Sequence, residues 1–187
     1  MITSTIAGLP GKVCDMVYSV LNLERLEQML SIVRFHPAVV HFPIALLIIA
    51  GLIGLVYLIR PFRSEFRFIT WWAMLGGWIG TAVAIGSGLL AQSGLSPDAP
   101  FRSLLNWHIG TGLGILVLFG FILYRAWLYT TPKARKRRPA TAANDLLDDP
   151  RARGWLAVLL VVGIVLVVIS GWSGGELVFA WGVNVSN

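Results

Sequence analysis

The sequence predicts an all-α integral membrane protein, a bundle of four transmembrane helices preceded by an amphipathic helix. Three observations carry that prediction. Of the 187 residues, 56% are hydrophobic and 13% charged, whereas a soluble domain carries about 25% charged residues. Four uncharged runs, 35–59, 68–97, 103–124 and 154–175, each reach or exceed the ~20 residues that cross a hydrocarbon core. The basic residues gather between those runs rather than along one amphipathic face, which makes the net charge of +6 a topology signal and argues against a nucleic-acid partner.

The chain divides into a tail with its helix, 1–34, and a membrane domain, 35–187. Residues 1–12 are small and polar, broken by Pro10 and Gly11, and nothing in them forms the apolar core of a signal peptide. Over 13–34, Val13, Met16, Val17, Val20, Leu23, Leu26, Leu30 and Val33 recur at helical spacing among Lys12, Asp15, Glu24, Arg25 and Glu27. Such a helix is too charged to span. It lies in the headgroup layer or packs on a partner subunit. The single cysteine, Cys14, excludes an intramolecular disulfide.

Lys and Arg set the orientation. The loop after the first run holds Arg60, Arg63 and Arg67. The loop after the third holds Arg125, Lys133, Arg135, Lys136, Arg137, Arg138, Arg151 and Arg153. By the positive-inside rule both loops are cytoplasmic, so both termini are expected to face outward. The 133–138 run is read as a topology signal and solvated linker, with anionic lipid as a second use. Asp145, Asp148 and Asp149 are expected to neutralise it in part. Trp71, Trp72, Trp127 and Trp155 fall at the cytoplasmic ends of the runs and Trp107, Trp172 and Trp181 at the outer ends, as an aromatic belt requires.

Packing is expected from small residues. Gly76, Gly80, Ala84 and Gly88 stand at four-residue spacing in the second run, and Gly51, Gly54, Gly110 and Gly114 add to the first and third. In lipid such ridges let helices approach closely.

No carboxylate lies inside a run, and no nucleophile–base pair or phosphate loop is visible, so no hydrolase or transferase chemistry is predicted. The chemistry-bearing residues are the three histidines. An imidazole inside a span is costly without a partner and marks a functional site by default. His41 lies one turn inside the first run and His108 one turn inside the third. These runs are parallel, so both rings are expected at one depth, about 5–6 Å below the outer edge at ~1.5 Å per residue. Two imidazoles on facing helices at one depth supply the axial ligands of one b-type haem. Gly112, one turn from His108, leaves room for a flat macrocycle. His36, ahead of Pro37, is expected to fold over the site from the loop. A different metal, a quinone hydrogen bond and a cofactor-free polar lock remain open on the same residues. At the end of the fourth run the helix is expected to stop at the glycines of Ser170-Gly171-Trp172-Ser173-Gly174-Gly175, with 171–183 continuing as an extended flap over the site.

The opening His36-Pro37-Ala38-Val39-Val40-His41-Phe42-Pro43-Ile44-Ala45 and the ending Ser170-Gly171-Trp172-Ser173-Gly174-Gly175-Glu176-Leu177-Val178-Phe179 resemble the bacterial membrane proteins grouped as domain of unknown function 2231, over about residues 34–185. That resemblance implies a four-helix membrane fold, histidines suspected of haem binding, and the company of electron-transfer proteins. The family's ending continues into His-Gly-Val-Gly-Val, where this chain reads Trp181-Gly182-Val183-Asn184-Val185, which leaves His36, His41 and His108 as the candidates carried over. The expected function is electron transfer through one haem b inside a larger respiratory or photosynthetic complex, with a quinone or cytochrome c as possible partner. The alternative is a cofactor-free accessory subunit.

Overall fold

The computed structural model of the protein describes residues 36, 39–60, 64–92, 95–137, 139 and 143–183. The amphipathic segment 13–34 lies outside the described residues. Among the described residues, four helices are long and apolar enough to cross a membrane: α1 (Val39–Ile59), α2 (Ser64–Ala91), α3 (Arg102–Thr130) and α5 (Pro150–Phe179). A short helix, α4 (Pro132–Lys136), and a single 3-10 turn, Leu146–Asp148, lie between the last two. No strand occurs among the described residues. Helix is what such runs must form, since in lipid each backbone N–H and C=O has to be satisfied within its own segment.

The helix ends follow local chemistry. Thr131 is extended (ψ 146) ahead of Pro132, the conformation that a proline imposes on its predecessor, and α3 stops there. The Asp149 carboxylate accepts from the Arg151 N–H at 2.9 Å, and Pro150 takes the first helical position of α5, where its missing N–H costs nothing. At the far end α5 does not stop at the glycines. It runs unbroken through Gly171, Gly174 and Gly175 to Phe179, so the expected extended flap over 171–183 is corrected to two further helical turns and a short cap. The reason is that a mid-span glycine frees no backbone group, and continuing the hydrogen-bond ladder is the cheaper course in lipid. The turn comes at Gly182, whose φ of +62 is the left-handed conformation glycine tolerates best. Its N–H bonds to the Val178 carbonyl at 3.1 Å, a left-handed helix cap. Val183 then buries with Leu105 and Leu177 in a small cluster.

Glycines set the helix contacts. A methyl group at Gly77 would lie 2.6 Å from Leu47, and one at Gly80 would lie 3.2 Å from Pro43, so α2 presents its small-residue ridge to α1. Gly51 and Gly54 bring α1 against Ile164 and Leu160 of α5, and Gly163 of α5 receives the Phe119 ring of α3. The core between them is Leu47, Met74, Phe119, Ile122, Leu156 and Leu160. Trp78 of α2 donates from its indole to the Leu116 carbonyl of α3 at 2.9 Å.

The basic end of the bundle is closed by the segment before α5. Leu146 and Leu147 are 3% and 2% exposed, pushed into the core. The carboxylates around them bind the spans. Tyr57 of α1 donates to Asp148 at 2.6 Å, and Arg67 of α2 pairs with the same carboxylate. The Trp71 indole donates to Asp145 at 3.1 Å, and Tyr129 of α3 donates to Asp149 at 3.1 Å. Beside the partial neutralisation of the 133–138 run expected from the sequence, these aspartates have a structural use: among the described residues the ion pairs of Asp145 and Asp148 go to Arg67.

Candidate functional site

The opposite end of the bundle holds a cavity of about 380 Å³ among α1, α2, α3 and α5, within the range of small-molecule and cofactor sites, ~300–1,000 Å³. His36, His41, His108 and Gly112, the four residues singled out by the sequence, all line it.

His108 comes from the second turn of α3. Its Nδ1 lies 3.0 Å from the Ser170 carbonyl of α5 and 3.3 Å from the Ser173 hydroxyl. A carbonyl only accepts, so Nδ1 carries the proton and donates. Ser173 Oγ itself donates to the Ser170 carbonyl at 3.1 Å, which leaves its lone pair for the imidazole. In a neutral ring with the proton on Nδ1, Nε2 bears the lone pair. Nε2 makes no hydrogen bond among the described residues. The ring rests on Gly174, where a methyl group would lie 2.9 Å from Cε1. Ser170, Ser173 and Gly174 stand at i, i+3 and i+4, one face of a helix, and that face is the cradle of His108.

His36 is helical where the sequence expected a loop residue. Its Nδ1 lies 2.8 Å from Ser87 Oγ of α2. Ser87 commits its own proton to the Ala84 carbonyl at 2.9 Å, so His36 Nδ1–H is the donor and Nε2 again carries the lone pair. The ring lies over Gly88, where a methyl group would be 3.0 Å from Cε1. His41 lines the same cavity but is exposed. Gly112 fronts open space, with only Ile85 at 3.9 Å from a methyl group built there.

The serines and glycines that hold the rings were missed by sequence reasoning. A signal existed. Ser87-Gly88 and Ser173-Gly174 are the same dipeptide, one in each of the two spans that follow a histidine-bearing span. Read alone, the first pair passes for helix packing and the second for a helix end. The rest of the wall is mainly aliphatic, with Ile44, Ile85, Ile109 and Val167 among its residues, and Thr81, Gln92 and Phe179 also line it. Among the described residues no cluster of three or more histidines, cysteines or carboxylates is present. The ligand chemistry on offer among the described residues is imidazole in a mainly apolar pocket, with His36 and His108 of fixed tautomer and His41 beside them. This donor set suits a haem iron or hydrogen bonds to a quinol, and it lacks the carboxylates of an oxygen-ligand metal site.

No curated protein and no solved structure matches the chain. Residues 33–187 match the family described as predicted membrane protein of domain of unknown function 2231, a span that takes in all four transmembrane helices and every residue of the pocket, and the chain belongs to that family.

Proposed function

We propose that the protein is a multi-pass subunit of a bacterial inner membrane, with both termini outside. It holds one b-type haem near the outer face and passes electrons within a larger respiratory or photosynthetic complex, to or from a quinone or a cytochrome c. The observation that carries this reading is His108. Its Nδ1–H is held by the Ser170 carbonyl, the pattern by which proteins fix the tautomer and direction of a ligating imidazole and raise its basicity. His108 and an imidazole from the N-terminal end of α1 would be the residues to hold such a group. The residues fit such a group: the cavity is mainly apolar, two rings are held with Nε2 unprotonated, and Gly112 leaves space. When bound there, a haem iron would take up and release single electrons. The chain's own work is to hold the imidazoles, keep water from the pocket with the α1 and α5 aliphatic side chains, and place the site close to a partner at the outer face. The orientation rests on the arginines and lysines of the two basic loops.

The test is the reduced-minus-oxidised absorption spectrum of the purified protein or its parent complex. A Soret shift with a sharp α band is expected, and His108→Leu should remove it while all four spans still insert. A featureless spectrum from the intact complex defeats the haem reading. The cofactor-free accessory subunit would then stand, favoured by the fact that the serines already satisfy both imidazoles at Nδ1.

A further inference from the structure

The sequence paired His41 with His108 by depth. The structure pairs His36 with His108 by how each ring is held. Each ring belongs to one span of a hairpin or its N-terminal approach, α1 for His36 and α3 for His108. Each is gripped by the next long span, α2 or α5. In both grips a serine oxygen stands within hydrogen-bond reach of Nδ1, at 2.8 Å for Ser87 and 3.3 Å for Ser173. In both, the glycine that follows forms the floor under the ring, with Cε1 the nearest atom in each case. In both, the serine's own proton goes to a carbonyl three residues back, Ala84 or Ser170. The α1–α2 and α3–α5 hairpins thus repeat one device. Its product is an imidazole of fixed tautomer with Nε2 unprotonated, lining a common cavity.

We infer that His36, not His41, is the partner of His108, and that the Ser87-Gly88 and Ser173-Gly174 pairs are equivalent positioning elements for two axial ligands. This inference rests on the haem reading above. Its physical basis is preorganisation. A ligand ring whose other nitrogen is already bonded and whose plane is fixed by packing loses little freedom on coordination. His41 lines the same cavity with its side chain exposed.

The test uses the full-length protein purified with its haem. His36→Ala, His41→Ala and His108→Ala are compared by haem per protein and by the spin state of the ferric iron in electron paramagnetic resonance. The wild type is expected to be low-spin. His36→Ala and His108→Ala are each expected to lose the low-spin signal, and imidazole added to His36→Gly should restore it. His41→Ala should keep it. A second pair of variants decides the matter should His36→Ala fail to insert. Gly88→Ala, which crowds the His36 ring, should convert part of the iron to high-spin, whereas Gly86→Ala, which meets nothing within 4 Å, should not. Ser87→Ala should weaken haem retention about 10–100-fold, as loss of a second-layer hydrogen bond does. A wild type that binds haem but loses its low-spin signal with His41→Ala, and not with His36→Ala or Gly88→Ala, overturns this inference and leaves the haem reading intact. A wild type without haem overturns both.

Discussion

A single carboxylate, Asp148, joins three parts of the chain. It accepts from the Tyr57 hydroxyl of α1 and the Arg67 guanidinium of α2, while its own segment leads into α5. Removing an acceptor leaves donors that water must satisfy, at a cost of about 1–3 kcal/mol per buried group. Here the Arg67 and Asp148 side chains are 34% and 27% exposed, so solvent and screening bring the ion-pair share towards the low end. Asp148→Ala is expected to lower the midpoint of thermal unfolding in detergent by several degrees, with Asp148→Asn falling between it and the wild type. Glu65→Ala, at an exposed position on the first turn of α2, should do nothing measurable. If Asp148→Ala melted with the wild type, the polar tie between spans would be ornamental, and Leu146 and Leu147 alone would hold the segment.

At the scale of the element, the glycines sort into two kinds that spacing cannot separate. Gly77 and Gly163 each bring a neighbouring side chain to 2.6 Å from where a methyl would stand, and at Gly77 the Leu47 backbone nitrogen is also within 3.2 Å. Rigid backbone cannot yield, so Gly77→Ala forces α1 and α2 apart. Overpacking of this type costs about 1–3 kcal/mol. Gly86 and Gly110 meet nothing, and alanine there should be neutral or slightly favourable, since glycine disfavours helix by up to ~1 kcal/mol. Thermal melts of Gly77→Ala and Gly86→Ala, measured side by side in one detergent, check the difference. Equal melting points would mean that the α1–α2 contact relaxes freely. The same reasoning explains α5. Its glycines at 171, 174 and 175 look like a helix terminus by composition, but one of them is the floor of His108 and the helix passes through all three.

For the whole molecule, the proposed orientation, with both ends of the chain outside, rests on the even number of spans and on the arginines and lysines of the two basic loops. A reporter active only in the cytoplasm, fused after Asn187, is expected to be silent, and the same reporter inserted in the 133–138 loop should be fully active. The reverse pattern would place the histidine pocket at the cytoplasmic face and remove the argument for an outer electron-transfer partner. The two ends of the bundle are built on different principles. The basic end is closed by aspartates and two buried leucines. The histidine end keeps a cavity, which is where a multi-helix membrane protein gains a ligand site at least cost, because the surrounding helices already satisfy their own backbones.

The sequence by itself determined the four spans, because their length and their lack of charge are read directly by the bilayer as solvent. It also drew attention to His36, His41, His108 and Gly112, because a polar ring in an apolar run is conspicuous without any structure. Only the tertiary structure decided which rings are held alike. Depth along a span can be counted from the sequence, but the direction a ring faces depends on helix rotation and on what the next helix offers. For His108 that offer is Ser170, Ser173 and Gly174, 62 residues away and more. For His36 it is Ser87 and Gly88, 51 residues and more along the chain. The aspartates before α5 were illegible for the same reason. Beside a basic run in the sequence they read as local neutralisation, and folding also carried them to Tyr57, Arg67, Trp71 and Tyr129, because a partly buried carboxylate is stabilised by fixed donors that chain proximity alone does not supply.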